Sequence, residues 1–193
     1  VVFLANKMED GSPIAGNFGG IDRADEICQY WGDKTELDRN FKAVLSVGVP
    51  SFEGAEASDP VHARDRFSLT DGPIMLVTNR SVETVVERAS DFWSCDGAKI
   101  KREINFNSQR QEITEGMIWM GTDCEGRATY FHCNAWTQEA LDEAVDPDAI
   151  DDAFNYLLHQ QVGNAASFFQ VFSSDYGNVV GCESTGSLLC LSD

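Results

Sequence analysis

The sequence predicts an α+β domain of secreted type, and three observations predict it. Short apolar runs bounded by turn residues recur along the chain, helical periodicity is confined to a few stretches, and six cysteines are scattered from Cys28 to Cys190. A length of 193 residues with 42% hydrophobic content supplies one substantial core, so one domain over residues 1–193 is expected.

The run VVFLA at 1–5 reads as a buried strand, and EDGSPIAGNFGG after it as glycine-rich turn chemistry. In IDRADEICQYWG, Ala24, Ile27, Cys28 and Trp31 recur at i, i+3, i+4 and i+7, one face of a helix that buries Cys28. Residues 41–47 follow as a strand, with the Lys42 charge between Phe41 and Ala43 as alternation requires. From 48 to 64 the composition turns to Gly, Pro, Ser, Glu and Asp, a surface loop. PIMLVT (73–78) is a further strand. SVETVVERASDFW (81–93) is expected as a second amphipathic helix, with Val82, Val85, Val86 and Ala89 on one side. MIWMGT (117–122) gives a strand ending at a turn. The acidic stretch at 139–161 carries helical patches interrupted by Pro147, which lacks the N–H a helix interior needs. FFQVF (168–172) and SLLCLS (187–192) are the last strands, and pairing the first strand with the last would close the fold.

Acidic residues outnumber basic ones 32 to 14, a formal net charge of −18. Such a field repels phosphate backbones, sulfated glycans and anionic membranes, and favours cations or basic partners, so nucleic acid is not expected as a partner. The plainer reading of the charge is solubility in a salty medium that screens self-repulsion. No stretch approaches the roughly 18 uninterrupted apolar residues of a membrane span, so no membrane insertion is expected. The opening VVFLANK lacks the pattern of a signal peptide and reads as a strand, with any export signal already removed.

None of Cys28, Cys95, Cys124, Cys133, Cys182 and Cys190 forms C-x-x-C, which argues against a thioredoxin-type redox pair or a zinc ribbon. An even count points instead to disulfides in an oxidising compartment, with every pairing of the six open at this level. Asn79-Arg80-Ser81 fits the glycosylation acceptor pattern.

Taken together, NKMEDGSPIAGNFGGIDRADEICQYWG followed by FKAVLS, then DRFSLTDGPIMLV, IWMGTDCEGR, YFHCNAW and CESTGSLLCLS form an ordered set of landmarks over nearly the whole chain. This set resembles the endostatin domain found at the end of certain collagens, and its bacterial relatives. The resemblance implies a C-type-lectin-like fold with nested disulfides. Carried over residue by residue, it implies a Cys28–Cys190 bridge and a Cys133–Cys182 bridge. It leaves Cys95 and Cys124, which have no counterpart in the collagen domain, as a third bridge. Trp119 and Trp136 then become core aromatics around a glycine turn, and the acidic stretch around 138–165 is an insertion relative to the collagen domain.

Four rival chemistries compete with that reading. Zinc would use Cys124, His132 and Cys133, but neighbouring strand residues point to opposite faces. The collagen domains bind zinc through histidines near their start, and none lies there in this chain. Heparin binding in those domains depends on arginine clusters, whereas this chain has isolated pairs such as Lys101-Arg102 in an acidic background. Asp146, Asp148, Asp151 and Asp152 offer hard oxygen ligands for calcium, yet lack the glycine and terminal glutamate of an EF-hand loop, and the EPN, QPD and WND signatures of sugar-binding lectins are missing. No cofactor is expected, with calcium the one alternative. His62, His132 and His159 form no catalytic constellation by order alone, and GxSxG, HExxH and Walker loops are absent, so no enzyme is expected.

The expectation is therefore an extracellular or surface-displayed binding or adhesion module that recognises a protein or glycan through its loops. The alternatives are a structural subunit that packs against copies of itself in an appendage or matrix, and calcium-dependent carbohydrate binding. Asp146, Asp148, Asp151 and Asp152 are the first candidate ligand-binding residues, and the loop from Glu53 to Asp59 the second.

Overall fold

Eight residues near the end of the chain, TGSLLCLS, organise the sheet. A computed structural model describes residues 1–35, 37–48, 59–95, 97–114, 116–128, 136, 156–161, 179–181 and 184–193. In chain order its strands are β1 (Val2–Ala5), β2 (Ile14–Ala15), β3 (Phe41–Ala43), β4 (Ile74–Val77), β5 (Val82–Val86), β6 (Met117–Trp119), β7 (Tyr156–Gln161), β8 (Val179–Gly181) and β9 (Thr185–Ser192). The helices are α1 (Ile21–Asp33) and the single turn α2 (Ala89–Phe92), with 3-10 turns at Ala63–Arg66 and Gly97–Lys99. The result is a mixed α+β arrangement with a sheet, few helices and two disulfides among the described residues.

The sheet runs β5-β4-β1-β9-β6-β7-β8, with β2 and β3 also pairing β9. β9 therefore meets β1, β2 and β3 antiparallel and β6 parallel. First and last strands pair as expected, with Val2 opposite Leu191 and Ala5 opposite Leu188.

β1 is buried at all four positions because it is central and covered on both faces. Val2 and Leu4, with Leu189, Leu191 and Ile118, join one apolar cluster; Phe3 and Ala5, with Leu188, Cys190 and Trp119, join the other. The period of two thus sorts a continuous apolar run into two cores, one on each side of the sheet.

On the second side α1 buries Ala24, Ile27, Cys28 and Gly32. Trp31 is only partly buried, and its indole N–H donates to the Lys7 carbonyl at 2.6 Å. Gly32 lets helix and strand approach closely: a Cβ there would lie 2.2 Å from the Phe41 ring. Cys28 and Cys190 are fully buried and bonded, a bridge spanning 162 residues of sequence.

Trp119 and Trp136 are both fully buried, as core aromatics should be. Their indole N–H groups donate to the Ile14 and Ser46 carbonyls at 3.2 and 3.0 Å. Trp136 stacks on Phe18 at 5.3 Å and has φ of 66°, a left-handed backbone unusual for a bulky residue. Its carbonyl accepts from the Gly19 and Gly20 amides at 3.0 Å each, which secures the entry to α1.

Three expected elements differ. The helix expected over 81–93 is the strand β5 followed by the single turn α2. Ile74 faces Val86 while Met75 faces Thr84, so Val85 is the extra residue of a β-bulge, and Val85 and Val86 enter the same core. That adjacency, with Ala89 beyond it, reproduces helical spacing on a β-branched segment that the hairpin partner β4 makes a strand. The helical pattern expected up to residue 161 likewise ends in a strand, β7, whose pairing with β6 and β8 overrides local periodicity. The strand expected over 41–47 stops at Ala43, because the Leu45 amide turns back onto the Ala43 carbonyl at 2.9 Å. β2 and β8 were not anticipated, and the strand expected at 168–172 lies outside the described residues.

No helix among the described residues is long and apolar enough to cross a membrane. The two disulfides fit an extracellular or oxidising environment.

Candidate functional site

Three segments meet beside the second disulfide. The first is the Ala63–Arg66 turn with Phe67 and Leu69, the second is α2 with Trp93 and Cys95, and the third is the Asp123–Arg127 turn that holds Cys124.

The third segment is self-bracing. Asp123 Oδ1 accepts from the Glu125 and Arg127 amides at 2.9 and 2.7 Å, and Gly126 takes φ of +74°. The first segment is bound to it. The Gly126 carbonyl accepts from the Arg64 amide at 3.2 Å, and His62 Nδ1 accepts from the Ala128 amide at 2.9 Å. That bond leaves the proton of a neutral His62 on Nε2. Behind them Ser46 completes the frame: its hydroxyl accepts from the Ala63 amide at 2.8 Å while its own amide donates to the Met120 carbonyl at 3.1 Å.

Trp93 packs on Phe92 edge-on at 5.0 Å and on Phe67 at 6.2 Å. Gly126 closes the third side, since a Cβ at that position would come within 2.7 Å of the Trp93 ring and of the Arg64 stem. The indole is therefore fixed before any ligand arrives, and little ordering entropy would be lost on binding. A cleft of about 440 Å³ opens here, lined by Trp93, Phe67 and Leu69, with Arg64, Asp65 and Asp71 as its charged groups among the described residues. Aromatic walls with a few polar groups are the ordinary composition of a ligand site.

The electrostatics of the neighbourhood are carried by surface pairs. Arg64 Nε lies 3.4 Å from Asp65. Asp91 on α2 accepts from Lys99 at 2.9 Å and from Arg88 at 3.3 Å. The Lys99 hydrogen bond, with Arg88 beside it, holds the Asp91 carboxyl below the usual carboxylate range.

A second ionic arrangement joins the cleft to the other side of the sheet. Arg66 donates to both oxygens of Asp25 at 2.7 and 2.6 Å and also to the carbonyls of Ala43 and Leu45. Asp25 in turn accepts from the Ala43 amide at 2.9 Å. The Arg66 side chain is 11% exposed, so this bidentate pair is shielded from water and fixes α1, β3 and the Ala63–Arg66 turn together.

Of the residues singled out from sequence, Cys28 and Cys190 are bonded as the resemblance implied, and Cys95 and Cys124 are bonded as the pair it left over. Asn79 occupies the exposed tip of the β4–β5 hairpin, where the Thr78 hydroxyl accepts from the Arg80 and Ser81 amides. Asp146, Asp148, Asp151, Asp152, His132, Cys133 and Cys182 lie outside the described residues, as does the loop from Glu53 up to residue 58; Asp59 is exposed. Among the described residues no group of three or more His, Cys, Asp or Glu is placed to hold a metal ion. Sequence reading missed the cleft. Its signal was the third bridge, since Trp93 stands two residues before Cys95 and Gly126 two residues after Cys124.

No family model matches this chain, and no curated protein compared with it matches either.

Proposed function

We propose that this protein is a secreted binding or adhesion module with an endostatin-like, C-type-lectin-like fold, recognising a protein or glycan through its loops. The observation that carries the reading is the preformed aromatic cleft at Trp93, held between three loop segments by the Cys95–Cys124 bridge. The fold assignment is supported by the order of the landmark motifs and by the Cys28–Cys190 bridge joining α1 to the central strand. Its own test is peptide mapping of the unreduced protein, where a Cys133–Cys182 crosslink is expected and unbridged Cys133 and Cys182 thiols would refute the assignment.

The functional test is a glycan and matrix-protein array, probed with and without calcium. Retention of a defined glycan or protein is the expected outcome, and an array bare in both conditions rejects the reading. Calcium dependence would bring the acidic stretch with Asp146, Asp148, Asp151 and Asp152 into the site. No response at millimolar calcium, in calorimetry or melting temperature, removes the ion from the account.

One observation favours the structural-subunit alternative: β5 is an edge of the sheet path, and Val82 on it is 59% exposed. Against it, Glu83–Arg102 and Glu87–Lys101 ion pairs flank that edge, and the Lys101 amide already donates to the Val85 carbonyl. Light scattering at low and high salt separates the two, with salt-promoted assembly supporting the subunit.

A further inference from the structure

The cleft beside Cys95–Cys124 has a charge imbalance that its shape alone does not require. Asp65 and Arg64 lie within ion-pair distance of each other, which balances one carboxylate against one guanidinium. Asp71 is exposed, lines the same cleft, and has no ion-pair partner among the described residues. Among the described residues, one uncompensated negative charge therefore faces the same space as the Trp93 ring. Tryptophan is the aromatic side chain whose π-face attracts cations most strongly. A carboxylate and an indole sharing one cleft suit a guanidinium or ammonium group on an apolar stem, with Phe67 and Leu69 to take the stem.

The whole molecule supports the same sign. A net charge of −18 raises the local concentration of basic partners and repels anionic ones. A neutral sugar could use the aromatic wall but would gain nothing from that field or from the uncompensated charge on Asp71. Of the two classes of macromolecule that a binding module could recognise, the charge distribution favours protein.

We propose that this cleft receives an arginine or lysine side chain from a basic segment of a partner protein. The inference rests on the reading of the chain as a binding module and specifies what its cleft recognises. Trp93 supplies the cation-binding face, Asp71 the counter-charge, and the Phe67, Phe92 and Gly126 contacts hold the indole in place.

The experiment is calorimetric titration of the intact, oxidised protein with an arginine-glycine hexapeptide at low and at physiological salt, with tryptophan fluorescence followed in parallel. The control is the same peptide with citrulline for arginine, which keeps shape and removes charge. The arginine peptide is expected to bind, more weakly at higher salt, and the citrulline peptide to bind at least about tenfold less tightly. Asp71→Asn, at an exposed position, is expected to weaken binding about threefold to tenfold with an unchanged melting temperature. Trp93→Leu is expected to weaken it by about tenfold and to abolish the fluorescence response.

Equal affinity for the two peptides, no binding of either, or peptide binding unaffected by Asp71→Asn overturns the proposal. A neutral oligosaccharide that binds the protein and is lost in Trp93→Leu makes the cleft a glycan site. That result overturns this inference and leaves the binding-module reading standing. An array that retains nothing rejects the module reading itself, whatever the peptide does.

Discussion

The two sides of the sheet are built to different specifications. On the α1 side, a helix of thirteen residues, two fully buried tryptophans and a fully buried disulfide enclose the core. On the opposite side, the covering among the described residues is a single α-helical turn, two 3-10 turns and loops, tied by a disulfide whose Cys95 end is exposed. Both sides share the alternating side chains of β1 and β9. The difference teaches that the apolar sheet needs covering but not by regular structure. Loops cover it when a covalent tie and backbone hydrogen bonds replace helical packing, and the cleft at Trp93 lies on the side where they do.

Breaking each staple in turn gives the largest contrast. Cys28→Ala with Cys190→Ala is expected to cost about 5 kcal/mol by loop entropy, and Cys95→Ala with Cys124→Ala about 3.5 kcal/mol, in urea unfolding monitored by tryptophan fluorescence. Mild dithiothreitol should open Cys95–Cys124 first, because the attacking thiolate must reach the sulfur and the other pair is enclosed. Alkylation followed by mass mapping reads the order, and labelling of Cys28 first would erase the distinction between the sides.

The next contrast concerns the ionic tie between them. Asp25→Ala leaves Arg66 shielded without its carboxylate and removes the acceptor of the Ala43 amide, so a loss of about 3 kcal/mol is expected by the same unfolding measurement. Asp25→Asn, which keeps an acceptor for Ala43, should recover part of it. If Asp25→Ala leaves the denaturant midpoint unmoved, the tie contributes nothing.

The glycines sharpen the comparison further. Gly32→Ala places a methyl against the enclosed Phe41 ring and is expected to cost about 3 kcal/mol. Gly126→Ala strains a left-handed backbone and brings a methyl against the Trp93 ring and the Arg64 Cβ, at contacts less close than the one Gly32→Ala makes with Phe41, for about 2 kcal/mol. A thermal melt of each variant tests this, and the reverse ranking would contradict the account of the two coverings.

The smallest effect belongs to Asp91. Its carboxyl is depressed mainly by the Lys99 hydrogen bond, so its contribution is fully present above the ordinary carboxylate pKa of 3.8 and is lost as pH falls through the lower native value. Asp91→Asn should therefore lower the melting temperature at neutral pH slightly, and the gap from the unsubstituted protein should close as both are acidified below that range.

Much of this was legible in the residues, and the failures have physical causes. The face of α1 could be read because Ala24, Ile27 and Cys28 recur at helical spacing over a segment without β-branched runs. The pairing of first and last strands followed from apolar runs too continuous to be exposed. Val82, Val85, Val86 and Ala89 misled because a bulge places two adjacent valines in one core, and one-dimensional periodicity cannot distinguish that from a helical turn. The cleft was hidden for a different reason. Phe67, Trp93 and Gly126 are far apart in sequence, and the Cys95–Cys124 bridge with the Arg64–Gly126 and Ala128–His62 hydrogen bonds brings them together.

The hub position of β9 has a consequence for biosynthesis. Ribosomes make residues 185–192 after β1, β2, β3 and β6 have emerged, and each of those strands takes β9 as a partner. Until it is translated the nascent polypeptide carries unpaired edges, so native structure should form late, slowly and over long sequence separations. A stop codon ahead of residue 185 should leave a product that aggregates or is degraded.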